Sequence, residues 1–287
     1  MATALLLGVL AGRPPPVVKT SLGSVLGNAL RGSDEFLGML YGDAERFGPA
    51  KVRSEPYAAQ LAQATSFGPA CLQTLTSTDN YGVEHGCHVI NLWRPAGATA
   101  ADKLPVLMFV PGGSNDFGEA EPYNASQLAS TQRAVIASIN YRVGPLGFLF
   151  FESEVRRGRG SGNYAQTDVQ AALRWLRREV AAFGGDPSRL SIFGQSSAGS
   201  LVLLHALMPS SAGLLEGVLS GMLGGWVNPH REQQIYRTVK HRARPNLSSR
   251  QRPKRAPIRR RSRRRQRHGE PHTEHGLGVL GLTRAIL

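Results

Sequence analysis

Strand-like segments alternating with helical ones predict an α/β fold built on a mostly parallel central sheet. Three observations carry that expectation. Residues 104–110 form an unbroken apolar run around Pro105, which suits a strand covered on both faces. Val169, Leu173, Leu176 and Val180 recur at helical spacing with Arg174, Arg177 and Arg178 between them, so residues 168–182 make a helix with one packed and one wet side. Residues 190–199 then read as strand, sharp turn and helix, with a serine on the turn.

Along the chain, strands are expected near 22–27 and 36–41, near 88–93, at 104–110 and at 134–140. The helix at 168–182, a strand at 190–193 and a helix from Ala198 follow. This order places the loops at the carboxyl ends of the parallel strands, where α/β proteins carry their sites.

The turn is the most informative of these pieces. A serine hydroxyl is a weak nucleophile, and a tight strand-to-helix bend lifts it clear of the sheet to where a base can take its proton. Strand and helix backbones nearly collide at such a bend, so small residues are needed two places before and two places after the serine. Gly194 and Ala198 bracket Ser196 in that way. With Ser197 in the role, bulky Gln195 would stand two places ahead. Ser196 is therefore the candidate nucleophile. A polar Ser-Ser turn that only caps a helix is the competing reading of the same residues.

Several further pieces, in order, resemble one family. They are Gly23-Ser24-Val25-Leu26-Gly27, residues 36–42, Glu45-Arg46-Phe47, residues 66–73 ending in Cys71-Leu72-Gln73, and residues 87–95 beginning with Cys87-His88-Val89. Asn140-Tyr141-Arg142-Val143-Gly144-Pro145-Leu146-Gly147 and Phe183-Gly184-Gly185-Asp186-Pro187 complete the set. From about Val17 to Gly221 the chain resembles the N-terminal portion of the type-B carboxylesterase and cholinesterase family. The resemblance implies an α/β-hydrolase fold with N-terminal antiparallel strands, which here stops after the nucleophile-elbow helix.

It also implies site residues. Family members carry His-Gly-Gly-Gly where this chain has Pro111-Gly112-Gly113-Ser114. By position the backbone N–H groups of Gly113, Ser114 and Ser197 would form the oxyanion hole, in which one donor is typically worth about 2.7–4 kcal/mol of barrier. Ser114 restricts a backbone that glycine leaves free, and a plain Gly112-Gly113 loop is the alternative. Cys71 and Cys87 match positions that are bridged in the family; from the residues alone, two unlinked thiols remain open. Arg142 and Asp168 match positions whose charges brace the fold.

An ester hydrolase of this kind also needs an imidazole and a carboxylate, which in the family lie well downstream of the serine. Neither is assigned here. His85, His88, His205, His230, His241, His268, His272 and His275 are the histidines available. His205 lies nine positions past Ser196 on the helix leaving the turn and reads as a packed helix residue, while His268, His272 and His275 sit in a polar tail. Glu216, Glu270 and Glu274 offer no clearer acid. Esterase turnover by this chain is accordingly expected to be weak or absent.

Charge divides the chain sharply. Residues 231–287 carry 17 Lys or Arg against 3 Asp or Glu and supply the whole net charge of +14, while the preceding residues balance at 17 of each. The run 259–267 is almost entirely arginine, and such a tail is expected to be disordered, because it has too little apolar surface to offset the entropy of ordering. A solvated or non-native tail is preferred over a nucleic-acid arm. The organisation expected is a signal remnant or disordered leader at 1–16, a partial α/β-hydrolase domain at 17–228, and the basic tail at 229–287. No run of eighteen apolar residues occurs, so no membrane span is expected. No metal-ligand cluster, phosphate-cradling loop or repeat is found, and no cofactor or metal is expected. The cysteine pair with the sequons at Asn124 and Asn246 favours secretion or the ER lumen.

The leading function is a carboxylic-ester hydrolase using Ser196 on a small-molecule ester. The alternatives are a non-catalytic esterase-like binding or adhesion module, and a truncated, inactive product.

Overall fold

A computed structural model describes residues 13–73, 81–158 and 162–221. The basic tail, its histidines, Asn246 and most of the leader lie outside the described residues.

The chain begins with short strands β1 (Val17–Thr20), β2 (Gly23–Leu26) and β3 (Asn28–Ala29), the longer β4 (Ser33–Leu40), then β5 (Gly42–Asp43), β6 (Lys51–Val52) and β7 (Leu61–Gln63). Next come β8 (Val89–Pro95) and β9 (Leu104–Val110), helix α1 (Ser126–Gln132), β10 (Val135–Ile139), and helices α2 (Gly144–Phe148) and α3 (Glu152–Arg156). Helix α4 (Tyr164–Glu179) leads through a 3-10 turn at Val180–Phe183 to β11 (Gly185–Gln195), α5 (Ser197–His205) and β12 (Gly217–Gly221).

Among the described residues, seven strands make the central sheet in the order β12-β11-β9-β10-β8-β4-β3. β12, β11, β9 and β10 are mutually parallel. β8 runs antiparallel to both β10 and β4, and β3 pairs antiparallel with β4. The expected split between N-terminal antiparallel strands and a parallel remainder is therefore present. β1, β2 and β7 form a separate three-stranded sheet, and β5 pairs with β6.

The apolar run at 104–110 is β9, with six of its seven residues buried. It sits between β11 and β10, the position in which a strand has neighbours on both edges and cover on both faces. β8 and β10 are wholly buried for the same reason. Within β4 the pairing to β8 shifts between Phe36 and Met39. Gly38 takes φ 67° there, and a side chain on it would come within 2.6 Å of the Ser66 carbonyl oxygen. The freed amides are satisfied, since Leu37 N–H donates to the Ala64 oxygen and Gly38 N–H to Asn91 Oδ1.

Helix α4 starts four residues earlier than its apolar spacing suggests, and its end tightens into the 3-10 turn. Val169, Leu173, Leu176 and Val180 are buried and Arg174, Arg177 and Arg178 are exposed, as the spacing predicted. Trp175 and Phe183, ring centroids 6.3 Å apart, and Phe36 of β4, 5.0 Å from Phe183, lock the helix onto the sheet. Gln166, Asp168 and Gln170 are buried too, which apolar periodicity alone does not foresee. Gln170 is covered because its Nε2 donates to Ser210 and Ser211 in the turn after α5.

Asp168 organises the polar centre. Arg142 grips it through Nε at 3.0 Å and Nη2 at 2.7 Å, and the Arg142 backbone N–H adds a third bond at 2.9 Å. His88 Nε2 lies 3.3 Å from Asp168 Oδ2 in the same buried cluster, off hydrogen-bonding alignment. Complete burial pushes the Asp168 carboxyl upward, but His88 and then Arg142 outweigh it and hold the group below the usual carboxylate range. Cys71 and Cys87 are bonded as a disulfide.

Candidate active site

Ser196 stands at the junction of β11 and α5 with φ 57° and ψ −130°. That pair of angles falls outside the allowed basins for an L-residue and is worth roughly 1–3 kcal/mol of local strain. The surroundings explain how the strain is held. A side chain on Gly194 would meet the Ala198 carbonyl oxygen at 2.6 Å and its Cβ at 3.1 Å, so strand and helix touch backbone to backbone across the bend. Ala198 is fully buried in that contact and its methyl is accommodated. Ser196 N–H donates to the Gly221 carbonyl oxygen at the end of β12, and the Ser196 carbonyl accepts from Gly199 N–H, which fixes the serine from both sides. Ser196 and Ser197 are both half-buried.

The glycine loop lies directly across from this serine. β9 ends at Val110 and delivers Pro111, Gly112 and Gly113 beside the bend. A side chain on Gly112 would lie 2.5 Å from the Gln195 carbonyl oxygen and 3.2 Å from Ser196 Cβ, so only glycine lets the loop come this close. Gly113 takes φ 139°, and a side chain there would overlap the Phe117 carbonyl oxygen. Ser114 and Asn115 follow with φ 57° and 64°, two successive left-handed residues that turn the chain back.

Side bonds pin this loop at several points. Tyr141 donates its hydroxyl to the Pro111 oxygen, Gly118 N–H reaches Gln73 Oε1, Ala120 N–H reaches Asn140 Oδ1, and Gly144 N–H donates to the Asn115 oxygen. Tyr141, Asn140 and Gly144 all belong to the segment after β10, which explains why that stretch reads so distinctively in the sequence.

Of the three expected oxyanion donors, Gly113 and Ser197 are brought together, but through the side chain of Ser197. The N–H groups of Gly113 and Asn115 both point at Ser197 Oγ, each at 3.2 Å. Asn115 is a participant that the sequence reading missed. The signal available was weak: asparagine tolerates left-handed backbone better than most residues. Ser114 lies between the two converging amides on the exposed outside of the turn.

The described histidines are elsewhere. His88 is buried beside Asp168, and His205 is buried with Nδ1 2.9 Å from Ser211 Oγ. Burial pushes the His205 imidazole down to about 4, so it stays neutral at physiological pH. His85 is exposed on the loop before Cys87. Among the described residues no histidine or carboxylate is hydrogen-bonded to Ser196 Oγ, and no group of three or more His, Cys, Asp or Glu could hold a metal ion. No helix among them is long and apolar enough to cross a membrane.

A parallel sheet that feeds a sharp strand-to-helix bend, flanked by antiparallel N-terminal strands, defines the α/β-hydrolase class. The profile of the carboxylesterase family matches residues 14–252, and the chain belongs to that family. It is 34% identical over 245 residues to Carboxylesterase 3 of Pongo abelii, covering 77% of this chain and 42% of that protein. It is 32% identical over 225 residues to Cocaine esterase of Oryctolagus cuniculus, covering 71% and 41%. Among solved structures, a thermophilic pNB esterase superposes with a TM-score of 0.65 at 27% identity, over 79% of this chain and 48% of that one. EstA of Aspergillus niger gives 0.62 at 34% identity, over 72% and 41%. The chain thus spans about two fifths of the length of these curated relatives.

Proposed function

We propose that this chain carries the nucleophile and the oxygen-stabilising loop of a carboxylic-ester hydrolase, with Ser196 attacking the carbonyl of a small-molecule ester. The observation that carries the reading is the strained conformation of Ser196 at a bend packed against Gly112 and Gly113. A helix cap needs no such strain, since cap residues adopt ordinary extended backbone. Two loop amides converge next to the serine, where charge would develop on an attacked carbonyl. Kinship with carboxylesterases supports the ester as substrate class.

Turnover is the weaker half of the activity. His88 and His205 are engaged in the interior, so proton transfer from Ser196 has no imidazole partner among the described residues. We expect acylation by an activated ester to be slow and deacylation slower. The same observation favours a second reading, a non-catalytic esterase-like binding module, in which the site binds without reacting. The disulfide, together with an exposed Asn124 in its sequon, supports a secretory location.

The test is incubation with a short-chain aryl ester, followed by intact mass and product release. We expect a single acyl group per chain that is absent from Ser196→Ala. Equal acylation of that variant would dismiss Ser196, and no acylation of either would favour the binding module.

A further inference from the structure

The two amides that face the elbow are already occupied. Gly113 N–H and Asn115 N–H share one acceptor, Ser197 Oγ. Neither has another acceptor among the described residues. We propose that the Ser197 hydroxyl is an internal occupant of this amide cradle, standing in for the oxygen of a bound ester, and that it governs access to the two donors. The proposal rests on Ser196 being the nucleophile, and it concerns the Ser197 side chain, not its backbone N–H.

Three features argue for an occupant over a fixed strut. Both bonds are 3.2 Å long, at the outer end of the range for N–H donors, so each is weak. A negatively charged oxygen accepts bonds roughly twice as strong as those a hydroxyl accepts, so the developing charge on an attacked carbonyl would displace Ser197 Oγ favourably. Ser197 is also the first residue of α5, one place past the cap position that Ser196 holds, so its hydroxyl is free of the capping role and faces the opposite loop.

The loop needs something at that place. Ser114 and Asn115 hold left-handed backbone in succession, which turns the amides on either side of Ser114 toward one point. With no ligand, the part-buried Gly113 N–H would be costly to leave unpaired, and the hydroxyl satisfies it together with the exposed Asn115 N–H. Ser197 is thus a positioning residue. It keeps the cradle in shape when the site is empty, and it competes with substrate when the site fills. An alanine at 197 would leave both donors open.

The full chain, Ser196→Ala, Ser197→Ala and Ser197→Thr are compared for the rate at which a fluorophosphonate modifies residue 196. Amide hydrogen exchange at Gly113 and Asn115 is measured alongside. We expect Ser197→Ala to label on the order of tenfold faster, a barrier change of about one hydrogen bond, with faster exchange at both amides. Ser197→Thr, which keeps the hydroxyl and adds a methyl, should label more slowly than the unaltered chain. If Ser197→Ala labels at the unaltered rate or slower while Ser196 is still modified, the hydroxyl is a strut. The proposal then fails and the nucleophile reading stands. Unprotected amides in the unaltered chain, or a threonine variant as fast as the alanine one, would also overturn it. Labelling that is absent throughout, or that persists in Ser196→Ala, removes the nucleophile reading and this proposal together.

Discussion

At the scale of single residues, the site depends on three places where a Cβ has no room. Gly194, Gly112 and Gly113 each sit where an added methyl would press on backbone oxygen at 2.6 Å or closer. Backbone cannot move aside as a side chain can, so the strain would pass to the bend or the loop. Gly194→Val should destabilise the chain by about 1–3 kcal/mol, the usual cost of overpacking, and should also lower reactivity at Ser196. Urea unfolding together with probe labelling would check both; an unchanged midpoint would mean that strand and helix are not in contact at the bend. The bend at Ser196 was legible in the sequence because such a turn imposes small residues at fixed offsets, and Gly194 and Ala198 keep them. Asn115 was not, because its contribution is a backbone N–H, and a backbone donor leaves no mark on residue identity.

At the scale of elements, polar groups buried inside α4 and α5 make stability depend on pH. His205 is 2% exposed on α5, and burial lowers its imidazole from 6.5 to about 4. The unfolded chain therefore takes up a proton at a pH where the folded one still resists it. The His205 contribution is complete above about pH 6.5 and is lost as pH falls toward 4, by on the order of 3 kcal/mol. Denaturant midpoints measured across that window should decline, and His205→Asn should flatten the decline. Asp168 works in the same direction at lower pH: its folded carboxyl titrates below its unfolded value of about 3.9, so its contribution is present above that pH and disappears as acid protonates it. Removing its guanidinium partner by Arg142→Met should cost about 3–5 kcal/mol, because a buried carboxylate would keep only the backbone N–H of residue 142 and nearby His88. A loss under 1 kcal/mol would show that the arginine is dispensable as a brace. Helix α4 itself was readable from its apolar stripe, whereas its buried Gln166, Asp168 and Gln170 were not. Periodicity reports which face packs, but it is silent on polar groups matched by partners distant in sequence.

At the scale of the whole molecule, the order β12-β11-β9-β10-β8-β4-β3 puts the parallel strands around the elbow and the antiparallel ones away from it. Strand β9 was legible because burial on both faces leaves a continuous apolar run, whereas β8 and β10 are as deeply buried but carry Asn91, Arg94 and Ser138 within them. The sheet order was not legible; only the split between N-terminal antiparallel strands and a parallel remainder came through resemblance to a family, and the three-stranded sheet of β1, β2 and β7 was not foreseen. β12 is the last described strand and stands at one edge, half-buried, with Ser196 N–H bonded to its Gly221. The elbow is thus anchored on its outer side by an edge strand, so the integrity of the site is tied to that of the sheet. The full chain should melt in one cooperative transition by near-ultraviolet circular dichroism, and a gradual loss of signal would contradict a packed sheet. Reduction of the Cys71–Cys87 bond, which spans 16 residues, should lower stability by roughly 3 kcal/mol.

The central claim is that one hydroxyl, that of Ser196, is raised beside the glycine loop in reactive form. Its most direct test is exposure of the folded, full chain to a fluorophosphonate, followed by peptide mapping of the adduct. The account predicts a single phosphonyl group on Ser196 that heat denaturation before exposure abolishes. An adduct on Ser197, or labelling that survives unfolding, would contradict it.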